Sequence, residues 1–131
     1  MTIRLALVDD NRAFVASVRN HLATEPELLV IGQALDGQDA LRMIRELKPD
    51  VVLLDIAMPD MNGLEVARCI QRLDRAPAVI FLTMHDNTSY RKAATSAGAA
   101  GFVCKSNVVA DLLPLILQVA ADRDARGVPL P

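Results

Sequence analysis

Val51-Val52-Leu53-Leu54-Asp55, followed by Ile56-Ala57-Met58-Pro59-Asp60-Met61-Asn62-Gly63, is the stretch that decides the fold. Four apolar residues in a row are too few for a helix. Bounded by Asp50 and by a Pro/Gly turn, they read as a strand buried on both faces, as in a parallel sheet. The same sentence is written twice more along the chain. Ile3-Arg4-Leu5-Ala6-Leu7-Val8 ends in Asp9-Asp10, and Gly101-Phe102-Val103-Cys104 ends in Lys105. In parallel strands these charged groups emerge at one edge of one sheet. Three acids crowded together repel, so the arrangement asks for a divalent metal beside the lysine.

The segments between these runs carry helical periodicity. Phe14, Val15, Val18 and Leu22 recur on residues 11 to 23, and Leu28 to Ala34 reads as a second strand. Leu41, Ile44 and Leu47 line a helix opened by Asp36-Gly37 and stopped by Lys48-Pro49-Asp50. Leu64, Ala67 and Ile70 stripe a third helix. Ala78 to Thr83 is a fourth strand, residues 88 to 97 an alanine-rich helix of little apolar bulk, and Leu112, Ile116, Val119 and Ala120 mark a last helix. Pro114, lacking an amide donor, is expected to bend that helix. Five βα units with right-handed crossovers make a doubly wound α/β sheet, whose ligands bind beyond the carboxyl ends of the strands. Residues 1–123 are expected to form one domain, and 124–131 to begin a linker.

Composition narrows the function. With 131 residues the chain is of one-domain size. Aromatic residues are only 3%, which argues against a stacking platform for single-stranded nucleic acid. A net charge of −2 without a basic cluster argues against direct binding to a phosphate backbone. Cys69 and Cys104 have no metal-ligand spacing and read as reduced thiols. No apolar stretch reaches the roughly 18 residues of a membrane span, and no signal peptide is visible, so a cytoplasmic location is expected.

The chemistry that fits the acids is phosphoryl transfer. Asp55 is the candidate nucleophile, since a carboxylate can attack phosphorus to give an acyl phosphate. The protein then has mainly to place positive charge about the phosphoryl oxygens. Mg²⁺ held by Asp10, Asp55 and a backbone carbonyl would supply most of it, with Asp9 acting mainly through a bound water. Lys105 would pair with one phosphoryl oxygen as a point charge, and the Thr83 hydroxyl would donate to another. Each residue also has a plainer reading. Asp9 or Asp10 could cap the first helix, Asp55 could serve a turn, and Lys105 could be a solvated loop charge. Their coincidence at one edge is what the plain readings do not anticipate.

Leu7-Val8-Asp9-Asp10, the run Asp55 to Gly63, Leu82-Thr83 and Gly98 to Lys105 together resemble the receiver domain of a two-component response regulator, from Ile3 to about Arg123. Leu82-Thr83-Met84-His85-Asp86 resembles the NarL/FixJ subfamily, whose members usually carry a LuxR-type helix-turn-helix after the receiver. The resemblance implies a flavodoxin-like (βα)5 sheet of order 2-1-3-4-5. It also implies Asp55 as phosphoacceptor, metal binding by Asp9, Asp10 and the Ala57 carbonyl, and Thr83 and Phe102 as a switch pair. A sensor histidine kinase as donor, homodimerisation on phosphorylation, and DNA contact only through a separate effector domain follow from the same resemblance. Ala57 has no side-chain group to orient an attacking water, and Met84 is bulkier than the small residue often found after the threonine. Met84 is therefore expected to modulate the pocket, His85 near its mouth reads either as a second modulating residue or as a solvated loop histidine, and His21 is expected on the surface of the first helix.

Three other functions compete. A haloacid dehalogenase-type phosphohydrolase needs a second acid two residues after its nucleophile, where this chain has Ala57. A flavin-binding flavodoxin cradles phosphate in the loop after the first strand, but here that loop holds Asp9 and Asp10, which would repel it without a metal. A pseudo-receiver acting only as an interaction surface would not need the full set of charged residues.

Overall fold

The computed structural model describes residues 2–84 and 87–125. The elements run β1 (Ile3–Val8), α1 (Arg12–Leu22), β2 (Leu28–Ala34), α2 (Gly37–Leu47), β3 (Val51–Asp55), α3 (Gly63–Gln71), β4 (Ala78–Thr83), α4 (Thr88–Ser96), β5 (Gly101–Cys104) and α5 (Val108–Ala125). All strands are parallel, in the order β2-β1-β3-β4-β5. The doubly wound sheet and its order agree with the sequence-based expectation.

Alternation along each strand builds two cores. Leu5, Leu7, Leu53, Ile80 and Leu82 face α1 and α5, meeting Val15, Val18, Leu112 and Ile116. Ala6, Val8, Val52, Leu54, Val79 and Phe81 face the other way, onto Ile44 of α2, Val66 and Ile70 of α3, and Ala94 of α4. A strand buried on both sides needs apolar residues at every position, which is why the runs show no polar alternation. The exception at the lower edge is Asp50, 1% exposed. Its Oδ2 accepts from the Arg4 amide at 2.9 Å, and its Oδ1 lies 3.6 Å from Arg123 Nη1 at the end of α5. One carboxylate thus joins β1, the start of β3 and the last helix at the end of the sheet opposite Asp55.

Local chemistry ends the helices as expected in one case and not in others. Lys48 takes a left-handed conformation (φ 50°) at the C-terminus of α2, its amide donating to the Ile44 carbonyl, before Pro49 blocks any continuation. Helix α5 carries Pro114 within an unbroken run and continues to Ala125. Asp124 and Ala125, expected in the linker, are therefore helical. Burial of Leu112, Ile116 and Val119 against the sheet holds α5 on both sides of the missing donor. Residues 126–131 of the expected linker lie outside the described residues. The fifth strand closes at Cys104, and Lys105–Asn107 form a single 3-10 turn leading into α5. His21 departs from the expected surface position. It is half-buried, and its Nε2 is shielded without a hydrogen-bond partner.

Candidate functional site

Register brings the acids level. Val8 pairs with Leu54 across β1 and β3, so Asp9 and Asp55 leave the sheet side by side. Asp55 pairs with Leu82, Leu82 with Val103, and Thr83 with Cys104, which places Lys105 just past the same edge. One carboxylate oxygen from each of Asp9, Asp10 and Asp55 lies within 4.8 Å of the other two. Lys105 Nζ sits between two of them, 2.6 Å from Asp9 Oδ2 and 3.6 Å from Asp55 Oδ2. The contact with Asp9 Oδ2 is an ion pair without hydrogen-bond alignment, and that shielded oxygen has no hydrogen-bond partner among the described residues.

The capping role that either acid could have played belongs to a neighbour. Asn11 is the N-cap of α1, its side-chain oxygen accepting from the Phe14 amide at 3.0 Å. Asp9 Oδ1 accepts instead from the Asn11 amide at 2.9 Å, which turns its second oxygen to Lys105. Asp10 is exposed at the mouth. Asp55 does serve the turn after β3, its Oδ1 accepting from the Ala57 amide at 3.3 Å, so the plain reading holds there beside any chemical one.

These groups surround a cleft of about 620 Å³, lined among others by Asp10, Asp55, Ala57, Thr83, Met84 and Lys105. Thr83 is buried, and Met84 is 70% exposed at the rim. Phe102 is outside this lining; its half-buried ring lies under the Arg91 guanidinium, 4.7 Å from the ring centroid. His85 lies outside the described residues. Two lining residues carry no functional mark in the sequence. Phe14, a member of the α1 apolar stripe, is half-buried with its ring 4.5 Å from Lys105 Nζ, a cation–π contact that braces the lysine from the α1 side. Its offset of one residue from Val15 was the available signal. Tyr90, from the first turn of α4, lines the same cleft, and nothing in the sequence around it marks that role.

The charges do not balance. Three carboxylates face one lysine, leaving a formal −2 when all are ionised, and among the described residues no other cation is in ion-pair contact with them. Burial pushes the Asp55 carboxyl up to about 6, and the charge of Asp9 pushes the same way. Lys105 and the Ala57 amide pull it down, and Asp10 adds a smaller push upward. An all-oxygen donor set with two uncompensated charges suits a hard divalent cation that keeps several waters, and Mg²⁺ is such an ion. The residues present therefore fit the metal that the sequence asks for.

Ionising Asp55 in the folded, metal-free protein is unfavourable, because its carboxyl is raised from 3.8 to about 6. The stabilisation of its neutral form is complete below pH 3.8 and is lost as pH rises through about 6. Asp55→Asn, measured by thermal or urea unfolding without metal, is expected to exceed wild type at pH 7.5 by roughly 1–3 kcal/mol. The advantage should shrink as pH falls from above 6 towards 3.8. A variant less stable than wild type at pH 7.5 would contradict this electrostatic account.

Comparison with known proteins agrees with the geometry. The description "Response regulator receiver domain" matches residues 5–117. The transcriptional regulatory protein DegU of Brevibacillus brevis is 34% identical over 94% of this chain and 52% of its own length. The transcriptional regulatory protein NarL of Mycobacterium tuberculosis is 33% identical over 93% of this chain and 56% of its own. The chain thus spans about half the length of these relatives. Among solved structures, the signal receiver domain of the Mycobacterium tuberculosis NarL superposes with a TM-score of 0.87 at 32% identity, covering 93% of this chain and 98% of that one. A LuxR-family two-component response regulator from Aurantimonas sp. SI85-9A1 gives 0.88 at 34% identity, covering 93% and 87%. This chain belongs to the response regulator receiver domain family, and within it to the NarL/LuxR type.

Proposed function

We propose that this domain accepts a phosphoryl group on Asp55 from the phosphohistidine of a sensor kinase, in a reaction that requires Mg²⁺. The observation that carries the reading is the three-carboxylate cluster with Lys105 lodged between Asp9 and Asp55. When bound, Mg²⁺ would neutralise charge building on the phosphoryl oxygens and orient the group for in-line displacement. Asp9, Asp10, Asp55 and the Ala57 carbonyl would hold it. An Asp55 carboxylate oxygen attacks phosphorus, an acyl phosphate bond forms, and the phosphorus–nitrogen bond breaks with its electron pair passing to the leaving imidazole. Lys105 then has a phosphoryl oxygen to pair with in addition to Asp9, and its place between the two acids leaves it only a short reach. Burial of Asp55 and Thr83 keeps the reacting edge short of water. Met84 at the rim, with His85, would set access to the pocket.

Such a domain is a signalling switch whose chemistry is confined to its own phosphorylation and dephosphorylation. The output would pass through Thr83 and Phe102. The Thr83 hydroxyl, donating to a phosphoryl oxygen, moves inward and vacates space for the Phe102 ring, so α4, β5 and α5 present a changed face. Helix α4 supports this, for its buried residue is a single alanine, Ala94, and it has little packing to lose. The changed face would favour a homodimer, and transcription would be controlled through a DNA-binding effector domain, the domain being cytoplasmic. No described helix is long and apolar enough to cross a membrane.

Intact-mass analysis after treatment with a small phosphodonor tests the chemical step. Wild type is expected to gain one phosphoryl group with Mg²⁺ and none with chelator, and Asp55→Asn none in either case. Full phosphorylation of that variant would overturn the assignment. Sedimentation tests the output. With a stable phosphoryl mimic the wild type should associate, while Thr83→Ala should still take the mimic and remain as it was. Equal association of the two proteins would remove Thr83 from the pathway.

A further inference from the structure

Asp60 sits in the connection between β3 and α3, the loop that carries Ala57, yet its carboxylate is turned to another element. Oδ1 accepts from the Gly37 amide at 3.0 Å and Oδ2 from the Gln38 amide at 3.3 Å. These are the first two amides of α2, which a helix cannot satisfy internally. The next two are served from within α2's own entry turn. Asp39 donates to the Asp36 side chain at 2.9 Å, and Ala40 to the Asp36 carbonyl at 3.0 Å. The helix therefore has its own N-cap in Asp36, and Asp60 is a second carboxylate brought in from the metal-side loop. The amides of Gly37 and Gln38 hold the Asp60 carboxyl below the usual carboxylate range, the Gly37 bond contributing most, even though the side chain is exposed.

Two close approaches show that the loop is seated, with no slack at either end. A Cβ added at Gly37 would come within 2.8 Å of Met61 Cβ, so the Met61 side chain of the loop rests directly on the α2 entry. At the far end the Gly63 amide donates to the Ile56 carbonyl at 2.6 Å, and a Cβ at Gly63 would overlap the Asp55 carbonyl oxygen. Residues 56 to 62 are thus tied at the base by Gly63 and at the tip by Asp60. Between the ties lies Ala57, whose amide holds Asp55 Oδ1.

We propose that Asp60 is a positioning residue for the divalent-cation site: by gripping the first two amides of α2 it sets where the Ala57 carbonyl and the Asp55 carboxylate stand. The inference rests on the reading that the acid cluster takes Mg²⁺, and it assigns α2 a part in that site although α2 contributes no ligand. A residue that merely capped α2 would affect stability alone. A residue that seats the loop must also change metal affinity, and Asp36 provides the contrast, because its hydrogen bonds among the described residues go to the Asp39 and Ala40 amides of the same helix end.

The experiment compares wild type, Asp60→Ala, Asp60→Asn and Asp36→Ala in two ways: Mg²⁺ titration followed by amide NMR, and hydrogen exchange of the metal-free proteins. Asp60→Ala is expected to weaken Mg²⁺ by about 3–10-fold, less than the loss typical of a group bonded directly to a ligand. Exchange at Gly37 and Gln38 should quicken in the same variant. Asp60→Asn, keeping one acceptor oxygen, should fall between. Asp36→Ala should expose the Asp39 amide and lower stability while leaving Mg²⁺ affinity within about twofold of wild type. Unchanged affinity in Asp60→Ala overturns the proposal, as does an equal loss in Asp36→Ala, which would reduce Asp60 to a helix cap. Failure of the wild type itself to bind Mg²⁺ would overturn the metal reading and this proposal together.

Discussion

Three carboxylates held against one lysine at a single sheet edge are the constraint around which the upper half of this domain is arranged. Like charges at such distances are tolerable only if partly neutralised. Lys105 does some of this from between Asp9 and Asp55, braced by the Phe14 ring. What remains is an unmet demand for positive charge, and burial first, then the charge of Asp9, holds the Asp55 carboxyl up at about 6. A domain built only for stability would replace one acid by an amide. Retention of all three is intelligible if the missing charge arrives with a ligand.

The sheet makes this strain affordable. Strands buried on both faces, with two separate cores, fix the level at which Asp9 and Asp55 emerge, so neither can withdraw without breaking register. Turn chemistry does the finer setting. Asn11 takes over the cap of α1, Gly63 allows the loop to fold back against the Asp55 carbonyl, and Asp60 fastens that loop to α2. At the far edge, Asp50 ties α5 to β1 and β3 through Arg4 and Arg123, while on the opposite face α4, with Ala94 its one buried residue, is the most lightly packed helix. That uneven distribution of packing is what a switch on the α4 side would require.

Much of this was legible in the chain, and the reasons are local. Apolar runs ending in Asp9, Asp55, Thr83 and Lys105 specify parallel strands and so a shared edge, because a buried strand needs no partner residue to be recognised. The misses fell where tertiary contacts outweigh local preference. Helix α5 outlasts its periodicity and runs through Ala125. His21 is half-buried at the edge of the apolar face of α1, on the side of Phe14 and Val18. Phe14 and Asp60 look like a core residue and a turn residue, and their contacts with Lys105 and with α2 connect segments far apart in sequence. No periodicity announces such contacts.

The central claim is that the acid edge is completed by a divalent cation held between β1 and β3. Substoichiometric Mn²⁺ added to isotopically labelled protein tests it directly, because paramagnetic broadening marks the residues nearest the ion. The account predicts that signals of Asp9, Asp10 and residues 55 to 58 vanish first, that excess Mg²⁺ restores them, and that Asp10→Ala abolishes the effect. Broadening centred elsewhere, or none at this edge at any concentration that Mg²⁺ can reverse, would contradict it.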